Sequence, residues 1–167
     1  MGRNAAYWIE KLRLSRHVEG GYFRETYRSP ETYPSTNDNL FPAGRSLSTN
    51  IYFLLEQGHY SAFHTIKSDE TWHFYAGDTL HIFEIEPDGK LITHKLGSNP
   101  DNNEHLQIVI RAGSWFGSRL APGGAYVLTG CTVAPGFSFE DFELATAAVL
   151  TNRFPMHEEL IRQLTYS

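Results

Sequence analysis

Histidine and glutamate side chains are concentrated in one short segment, GHYSAFHTIKSDETWHFYAG, which spans residues 58–77. The segment contains His59, His64, Glu70 and His73. Imidazole and carboxylate groups together are ligands for manganese, iron, nickel or zinc. The same two groups serve general acid–base catalysis, and a buried pair of them can also be purely structural. The residue types alone therefore leave three interpretations open: a metal site, an acid–base site and a structural pair.

Alternation within this segment predicts two β-strands joined by a turn at residues 67–69. Side chains point to alternate faces along a strand. Glu70 and Trp72 therefore share one face, and His73 points to the other. We expect His64 to meet Glu70 inside the fold, whereas His73 faces outward or toward a partner. Trp72 is expected to form a wall against a planar ligand.

The surrounding sequence predicts an all-β fold. From residue 45 to about residue 136, short apolar runs are separated by turns rich in glycine, proline and aspartate. Several short strands at such spacing are typical of a sandwich or a closed barrel. Residues 21–29 alternate in the same way and add a strand, and residues 30–44 form a long polar loop.

Short helices are predicted at both ends of the chain. Asn4 is a suitable N-cap, and apolar residues recur at helical spacing over residues 5–12. Near the other end, Pro155 opens a second helix, since proline is favoured in the first helical turn. Met156 and Leu164 are expected on the apolar face of that helix.

The composition limits the classes of protein to which this chain can belong. The 167 residues are 41% apolar and 14% aromatic with a net charge of −5, which predicts one globular domain over residues 1–167. Lysine and arginine form no basic run, so a nucleic-acid partner is not expected. No segment approaches the roughly 20 apolar residues of a membrane span, and residues 1–14 lack the apolar stretch of a signal peptide. Cys131 is the single cysteine, which fits a reducing, cytoplasmic compartment.

The opening segment resembles the first motif of the cupin superfamily, G-x5-H-x-H-x3,4-E-x6-G. Gly58, His64, Glu70 and Gly77 fit that spacing, and Ile66 replaces the second histidine. The second cupin motif, G-x5-P-x-G-x2-H-x3-N, matches only loosely. One placement, over residues 108–116, puts Phe116 at the ligand histidine, and the other puts Val127 there, so neither supplies a histidine.

Longer stretches resemble the fifth cupin family, whose members are of unknown function and related in shape to sugar-nucleotide epimerases. These stretches are HVEGGYFRETYRS (17–29), RSLSTNIYFLL (45–55), ETWHFYAGD (70–78) and GCTVAPGFSFEDFELA (130–145). The resemblance implies a cupin-type jelly-roll β-barrel, a homodimer, and a small-molecule pocket in the mouth of the barrel. It implies no particular reaction.

A cupin metal site uses three histidines and one glutamate, of which this chain retains His64 and Glu70. Two protein ligands hold a divalent ion poorly, because a catalytic zinc site normally has three. We therefore expect no cofactor and no resident metal. The remaining metal alternative recruits His73 as a third ligand.

Resemblance to the epimerases implies an acid–base site instead. His64 would be the general base, and Glu70 or Asp141 would orient its imidazole. Burial lowers the pKa of a histidine and a nearby carboxylate raises it, so the two effects together can hold His64 near neutral pH. The epimerases also use a tyrosine as general acid, a role for which Tyr52 and Tyr126 are the candidates here.

The ligand-binding candidates besides these two tyrosines and Trp72 lie at the start of RSLSTNIYF. Arg45 is suited to a two-point contact with a carboxylate or phosphate, and the Ser46 hydroxyl can fix a polar group. Cys131 has no basic neighbours and is expected to be inert. The other histidines have no matched partners and are interpreted as surface or strand residues; they are His17, His59, His81, His94, His105 and His157.

These observations predict a small-molecule-binding protein, acting as a metal-independent enzyme with epimerase- or isomerase-like chemistry. Its substrate would be a small polar or sugar-nucleotide-type metabolite. One alternative is a non-catalytic module in which the same pocket holds a ligand. The other is a divergent metal-dependent enzyme with His64, Glu70 and His73 as ligands.

Overall fold

The computed structural model describes residues 3–34 and 40–166. Of the predicted polar loop at residues 30–44, residues 35–39 lie outside the described residues. The helices are α1 (Ala5–Leu12), α2 (Ala147–Arg153) and α3 (Glu158–Gln163). The strands are β1 (Ser15–Arg16), β2 (Tyr22–Arg28), β3 (Thr32–Tyr33), β4 (Arg45–Ser46), β5 (Thr49–Glu56), β6 (Tyr60–Thr65), β7 (Asp69–Gly77), β8 (Leu80–Ile85), β9 (Leu91–Leu96), β10 (Gln107–Ile110), β11 (Trp115–Leu120), β12 (Tyr126–Ala134) and β13 (Glu143–Leu144).

The predicted all-β architecture is confirmed as two facing antiparallel sheets. One has six strands in the order β1-β2-β5-β12-β7-β10, and the other has five in the order β13-β6-β11-β8-β9. The two strands of the histidine-containing segment, β6 and β7, are therefore not partners in one hairpin but belong to different sheets. His64 and Glu70 consequently lie on opposite walls of the space between the sheets.

Side chains alternate along each strand, and those that point inward fill the space between the two sheets with apolar groups. Phe53 and Trp72 from the six-stranded sheet pack in one cluster with Ile82 and Phe116 from the five-stranded sheet. Each of these four side chains is at most 1% exposed. Burying a side chain of this size stabilises the fold by about 1.5–3 kcal/mol, so this cluster supplies much of the force that holds the sheets together.

The register of β7 against β12 fixes the direction in which the candidate residues of β7 point. Glu70 pairs with Val133 of β12, and Trp72 pairs with Cys131. A register shift between β7 and β12 follows only after Phe74, so the alternation remains regular over residues 69–74. The inward direction of Glu70 and Trp72 follows from this regular stretch.

Helices cover the two sheets from outside. Helix α1 begins after Asn4, whose side chain accepts a hydrogen bond from the backbone N–H of Tyr7, and packs against Leu54 and Leu128. Helices α2 and α3 pack against the five-stranded sheet. The predicted place of Met156 is wrong: its side chain is 68% exposed, because it lies in a 3₁₀ turn that precedes α3. No helix among the residues described has the length and apolarity to cross a membrane.

Candidate functional site

A cavity of about 410 Å³ lies between the two sheets. Six phenylalanine and tryptophan side chains contribute to its wall: Phe23, Phe53, Trp72, Phe137, Phe139 and Phe142. The titratable side chains that line it include His17, Glu19, His64 and Glu70. Apolar walls with a few polar groups are typical of small-molecule sites, and this volume is within the range that such sites have.

Glu19 enters the cavity because of the glycines that follow it. Gly20 has φ +112°, and a Cβ at this position would collide with the carbonyl oxygen of Tyr60. Only glycine therefore allows the turn before β2 to approach β6 so closely. At this approach the Ser61 hydroxyl donates a hydrogen bond to Glu19 Oε1 at 2.8 Å, and the Glu19 carboxyl faces His64.

Glu19 and His64 form a buried, closely spaced pair. The Nδ1 atom of His64 lies 2.7 Å from the carbonyl oxygen of Ala62, so Nδ1 carries hydrogen and donates it. The Nε2 atom then presents a lone pair to Glu19 Oε2, 3.2 Å away. Burial lowers the pKa of His64 to about 4 and raises the pKa of Glu19. Both shifts favour the uncharged form of the pair, in which Glu19 Oε2–H donates a hydrogen bond to His64 Nε2.

His17 completes this cluster from the other side of Glu19. Its Nδ1 atom accepts a hydrogen bond from the Glu19 backbone N–H at 3.3 Å and lies 3.4 Å from Glu19 Oε2. Burial lowers the pKa of His17 despite the neighbouring Glu19, so the ring is neutral with its proton on Nε2. Nε2 has no hydrogen-bond partner among the residues described and is available to a ligand.

Glu70 is a second buried carboxyl group in the same cavity. Burial, with the nearby Glu19 adding to it, raises the pKa of Glu70 to about 8. Trp72 Nε1 donates a hydrogen bond to Glu70 Oε2 at 3.1 Å, and the Cys131 thiol also hydrogen-bonds this carboxyl. These two contacts favour the ionised form, but the effect of burial is larger, so Glu70 is mostly protonated at pH 7.

Of the residues singled out from the sequence, His64, Glu70 and Trp72 come together in the cavity. The predicted partner of His64 is corrected, because Glu19 and not Glu70 or Asp141 contacts the imidazole. Asp141 is bound instead by Arg45, whose Nε and Nη2 atoms donate to the two carboxylate oxygens at 2.6 and 2.9 Å.

The other predicted ligand-binding residues do not line the cavity. Arg45 is buried, and its guanidinium is used by Asp141, Glu140 and the carbonyl of Gly44. Ser46 lies beside it in β4. Tyr52 and Tyr126 lie on the outer face of the six-stranded sheet, where they pack against the cluster beneath α1. Alternation along β5 places Tyr52 opposite the inward Ile51 and Phe53, so these tyrosines cannot donate a proton into the cavity.

The side chains present do not fit the cupin metal. Ile66 and Phe116 occupy the two missing ligand positions, and the Phe116 ring lies 4.1 Å from the ring of His64, which favours the first placement of the second motif. His73 points away and contacts Thr132 Oγ1 at 3.0 Å, which contradicts its recruitment as a third ligand. Within residues 3–34 and 40–166, no three His, Cys, Asp or Glu residues are grouped to hold a metal ion.

Sequence reasoning missed Glu19, and its interpretation of His17 as a surface or strand residue is wrong. Both line the cavity, where His17 contacts Glu19 and Glu19 contacts His64. The available signal was a His-x-Glu pattern directly before Gly20 and Gly21 in HVEGG. Two glycines in a tight turn can bring the preceding side chain close to another strand, but the pattern does not identify which strand.

Comparisons with known proteins agree with the fold and the motif. The profile of the family described as Cupin superfamily (DUF985) matches residues 6–145. An uncharacterised protein of Saccharomyces cerevisiae, YML079W, is 32% identical over 143 residues, which are 80% of this chain and 71% of the yeast protein.

Solved structures extend the likeness to the whole chain. Protein SO0799 from Shewanella oneidensis superposes with a TM-score of 0.90 at 38% identity, over 99% of both chains. A hypothetical protein from Leishmania major gives 0.91 at 34% identity, over 99% of this chain and 100% of that one. Oxalate decarboxylase from Bacillus subtilis gives 0.55 at 16% identity over 89% of this chain and 36% of its own, and so shares the jelly-roll fold alone. The chain therefore belongs to the DUF985 family of the cupin superfamily.

Proposed function

We propose that this cupin is an enzyme that moves protons on a bound small metabolite, using side chains and no resident metal. One observation carries the proposal: Glu19 Oε2 lies 3.2 Å from His64 Nε2 and 3.4 Å from His17 Nδ1 inside an apolar cavity. A purely structural pair needs no second histidine and no access to a ligand. This cluster has both.

The Glu19–His64 pair can accept a proton from substrate. In the proposed step a substrate C–H bond breaks and its proton transfers to Glu19 Oε1. The proton already on Oε2 passes to Nε2 of His64, which becomes an imidazolium. Glu19 is neutral before and after the step, so the positive charge is placed on His64. The low pKa of His64 favours rapid return of that proton.

Glu70 supplies the complementary acid. Its carboxyl group is protonated at neutral pH and lies on the sheet opposite His64. When the substrate C–H bond breaks next to a carbonyl group, negative charge develops on the carbonyl oxygen. Glu70 donates its proton to that oxygen, and the Trp72 N–H stabilises the carboxylate that remains. Return of a proton to the same face of that carbon only exchanges it with solvent, whereas return to the opposite face is an epimerisation and return to a neighbouring carbon is an isomerisation; in each case Glu70 takes back the proton from the carbonyl oxygen.

Proton transfer to carbon can be tested before the substrate is known. Metabolites that raise the melting temperature of the protein are incubated with it in D₂O, and loss of carbon-bound ¹H signal is followed by NMR. We expect exchange with at least one ligand, and its loss in Glu19→Gln and His64→Asn. His59→Asn, which removes a histidine that is 46% exposed, is the matched control and should retain exchange. Ligands that stabilise the protein without any exchange would instead indicate the non-catalytic binding module.

A further inference from the structure

Charged groups at the cavity mouth are arranged for a cation. The half-exposed to exposed lining residues Glu25, Arg28, Phe139 and Glu140 define this mouth. Arg28 is the single basic residue, other than histidine, among the described residues that line the cavity. Its Nε and Nη2 atoms bind the two carboxylate oxygens of Glu25 at 3.0 and 2.7 Å, and its Nη1 atom donates to the carbonyl of Phe137 at 3.1 Å. Three of the five guanidinium N–H groups of Arg28 are therefore already used within the protein, and its charge is paired with Glu25, which makes the mouth poorly suited to a phosphate or a carboxylate.

Glu140 is the carboxylate that this arrangement leaves available. Its side chain is 72% exposed, and only Oε2 is engaged, by Nη2 of Arg45 at 2.9 Å. Arg45 itself is held mainly by the two-point contact with Asp141 and does not line the cavity. Oε1 of Glu140 has no hydrogen-bond partner among the described residues and can accept one from a ligand.

Three phenyl rings form a corner beside this carboxylate. Phe137 and Phe139 lie 5.0 Å apart with their planes at 80°, and Phe139 and Phe142 lie 5.9 Å apart at 73°. Phe137 and Phe142 close the set at 6.2 Å and 71°. Phe139 also stacks on the ring of His17 at 6.0 Å and 23°, which covers one of its faces, and the residue as a whole is 56% exposed. Aromatic faces attract organic cations, and cages of this kind recognise ammonium groups.

We propose that the aromatic corner of Phe137, Phe139 and Phe142, together with Glu140, binds an ammonium group of the substrate. The inference rests on the proposed function, since it names the substrate class of the same cavity. The substrate would be an ammonium-bearing carbon acid, such as an amino-acid derivative. Its ammonium group would lie at the mouth and its reacting carbon near Glu19. Such a substrate fits the cavity better than a sugar nucleotide, whose diphosphate needs free cationic partners.

A matched set of probes isolates the ammonium charge. Choline, 3,3-dimethylbutan-1-ol and 3,3-dimethylbutanoate have nearly the same shape and carry a positive, zero and negative charge. Adding 3,3-dimethylbutan-1-amine tests a cation that can also donate hydrogen bonds. Binding is measured by isothermal titration calorimetry at pH 7. We expect at least one of the two cations to bind about tenfold tighter than the neutral alcohol, because the aromatic faces and Glu140 attract the positive charge and not the shape of the ligand. The anion should bind more weakly than the alcohol.

Variants at the mouth test the assignment of residues. Phe139→Leu and Glu140→Gln should each reduce the preference for the cation several-fold, and both side chains are exposed enough for the protein to fold without them. Glu143→Gln, in the nearby strand β13 and outside the cavity, is the matched control and should retain the preference.

Two results would overturn the ammonium site. One is a wild-type protein in which neither cation binds tighter than the alcohol, including the case in which no probe binds. The other is a preference that Phe139→Leu and Glu140→Gln leave unchanged. Because the assay measures binding without turnover, it separates this inference from the proposed function. If the protein prefers the cations but catalyses no carbon–hydrogen exchange, the proposed proton transfer is rejected and the ammonium site is retained.

Discussion

Replacing Glu70 with glutamine should change how the folding stability depends on pH. The pKa of Glu70 is about 8 in the folded protein, against an ordinary value of 4.5. Between these two pH values the folded protein keeps a proton that the unfolded chain has released. Stability therefore falls as pH rises through this window, by about 1.4 kcal/mol for each pH unit. Glutamine cannot ionise, so the variant lacks this fall.

The size of the effect follows from the width of the window. Across the whole interval the wild-type protein loses on the order of 5 kcal/mol that Glu70→Gln retains. Between pH 5.5 and 7.5 the difference should move by about 3 kcal/mol in favour of the variant. His64, whose folded pKa of about 4 makes stability fall as pH drops below 6.5, contributes to both proteins. Its contribution largely cancels in the difference.

Urea unfolding followed by circular dichroism at pH 5.5, 6.5 and 7.5 measures this difference directly. The slope of unfolding free energy against urea should be equal in the two proteins, which shows that the unfolding transition itself is unchanged. Glu10→Gln, which removes a carboxylate that is 79% exposed on α1, reports the effect of losing one surface charge. A stability difference between wild type and Glu70→Gln that stays constant from pH 5.5 to 7.5 would refute the neutral, buried Glu70.

Three further substitutions test other parts of the structure. Arg45→Met should destabilise the protein by about 3–5 kcal/mol in urea unfolding, because it leaves a buried carboxylate without its main partner. Gly20→Ala should cost about 2 kcal/mol in the same assay and abolish carbon–hydrogen exchange, because its φ of +112° and the contact with Tyr60 exclude a side chain. Trp72→Phe removes a hydrogen bond that favours ionised Glu70, so the pKa of Glu70 should rise further. The fall in stability should then extend above pH 8 when the urea series is continued to pH 9.

Each of these outcomes has a clear opposite. An Arg45→Met protein as stable as wild type would mean that the buried contact with Asp141 does not stabilise the fold. Full carbon–hydrogen exchange activity in Gly20→Ala would show that proton transfer does not depend on the position of Glu19. An unchanged pH profile in Trp72→Phe would show that the indole N–H does not act on Glu70.

Alternation along β6 and β7 was enough to predict much of the site. It placed His64, Glu70 and Trp72 toward the interior and His73 outside, because the side-chain period of a strand is two residues. The same reasoning could not tell whether the two strands pair, since a short polar turn can join strands of one sheet or of two. The structure puts them in different sheets, which is why Glu70 faces His64 across the cavity rather than beside it.

The residues that were missed or misplaced depend on contacts between distant parts of the chain. Glu19 hydrogen-bonds Ser61, forty-two positions away, and Arg45 binds Asp141, ninety-six positions away. No local period records such contacts. Arg45 has the features of a ligand anchor in the sequence, and only the position of the 3₁₀ turn at Phe139–Asp141 shows that its donors are already used.

The central claim is that side chains carry out proton transfer where other cupins hold a metal. Elemental analysis of the protein, purified without a histidine tag or chelator, tests this claim most directly. The account predicts manganese, iron, nickel and zinc far below one ion per chain, with no difference between wild type and His64→Ala. A stoichiometric metal in wild type that is lost in His64→Ala would contradict it, since an ion bound at His64 cannot coexist with the neutral Glu19–His64 pair.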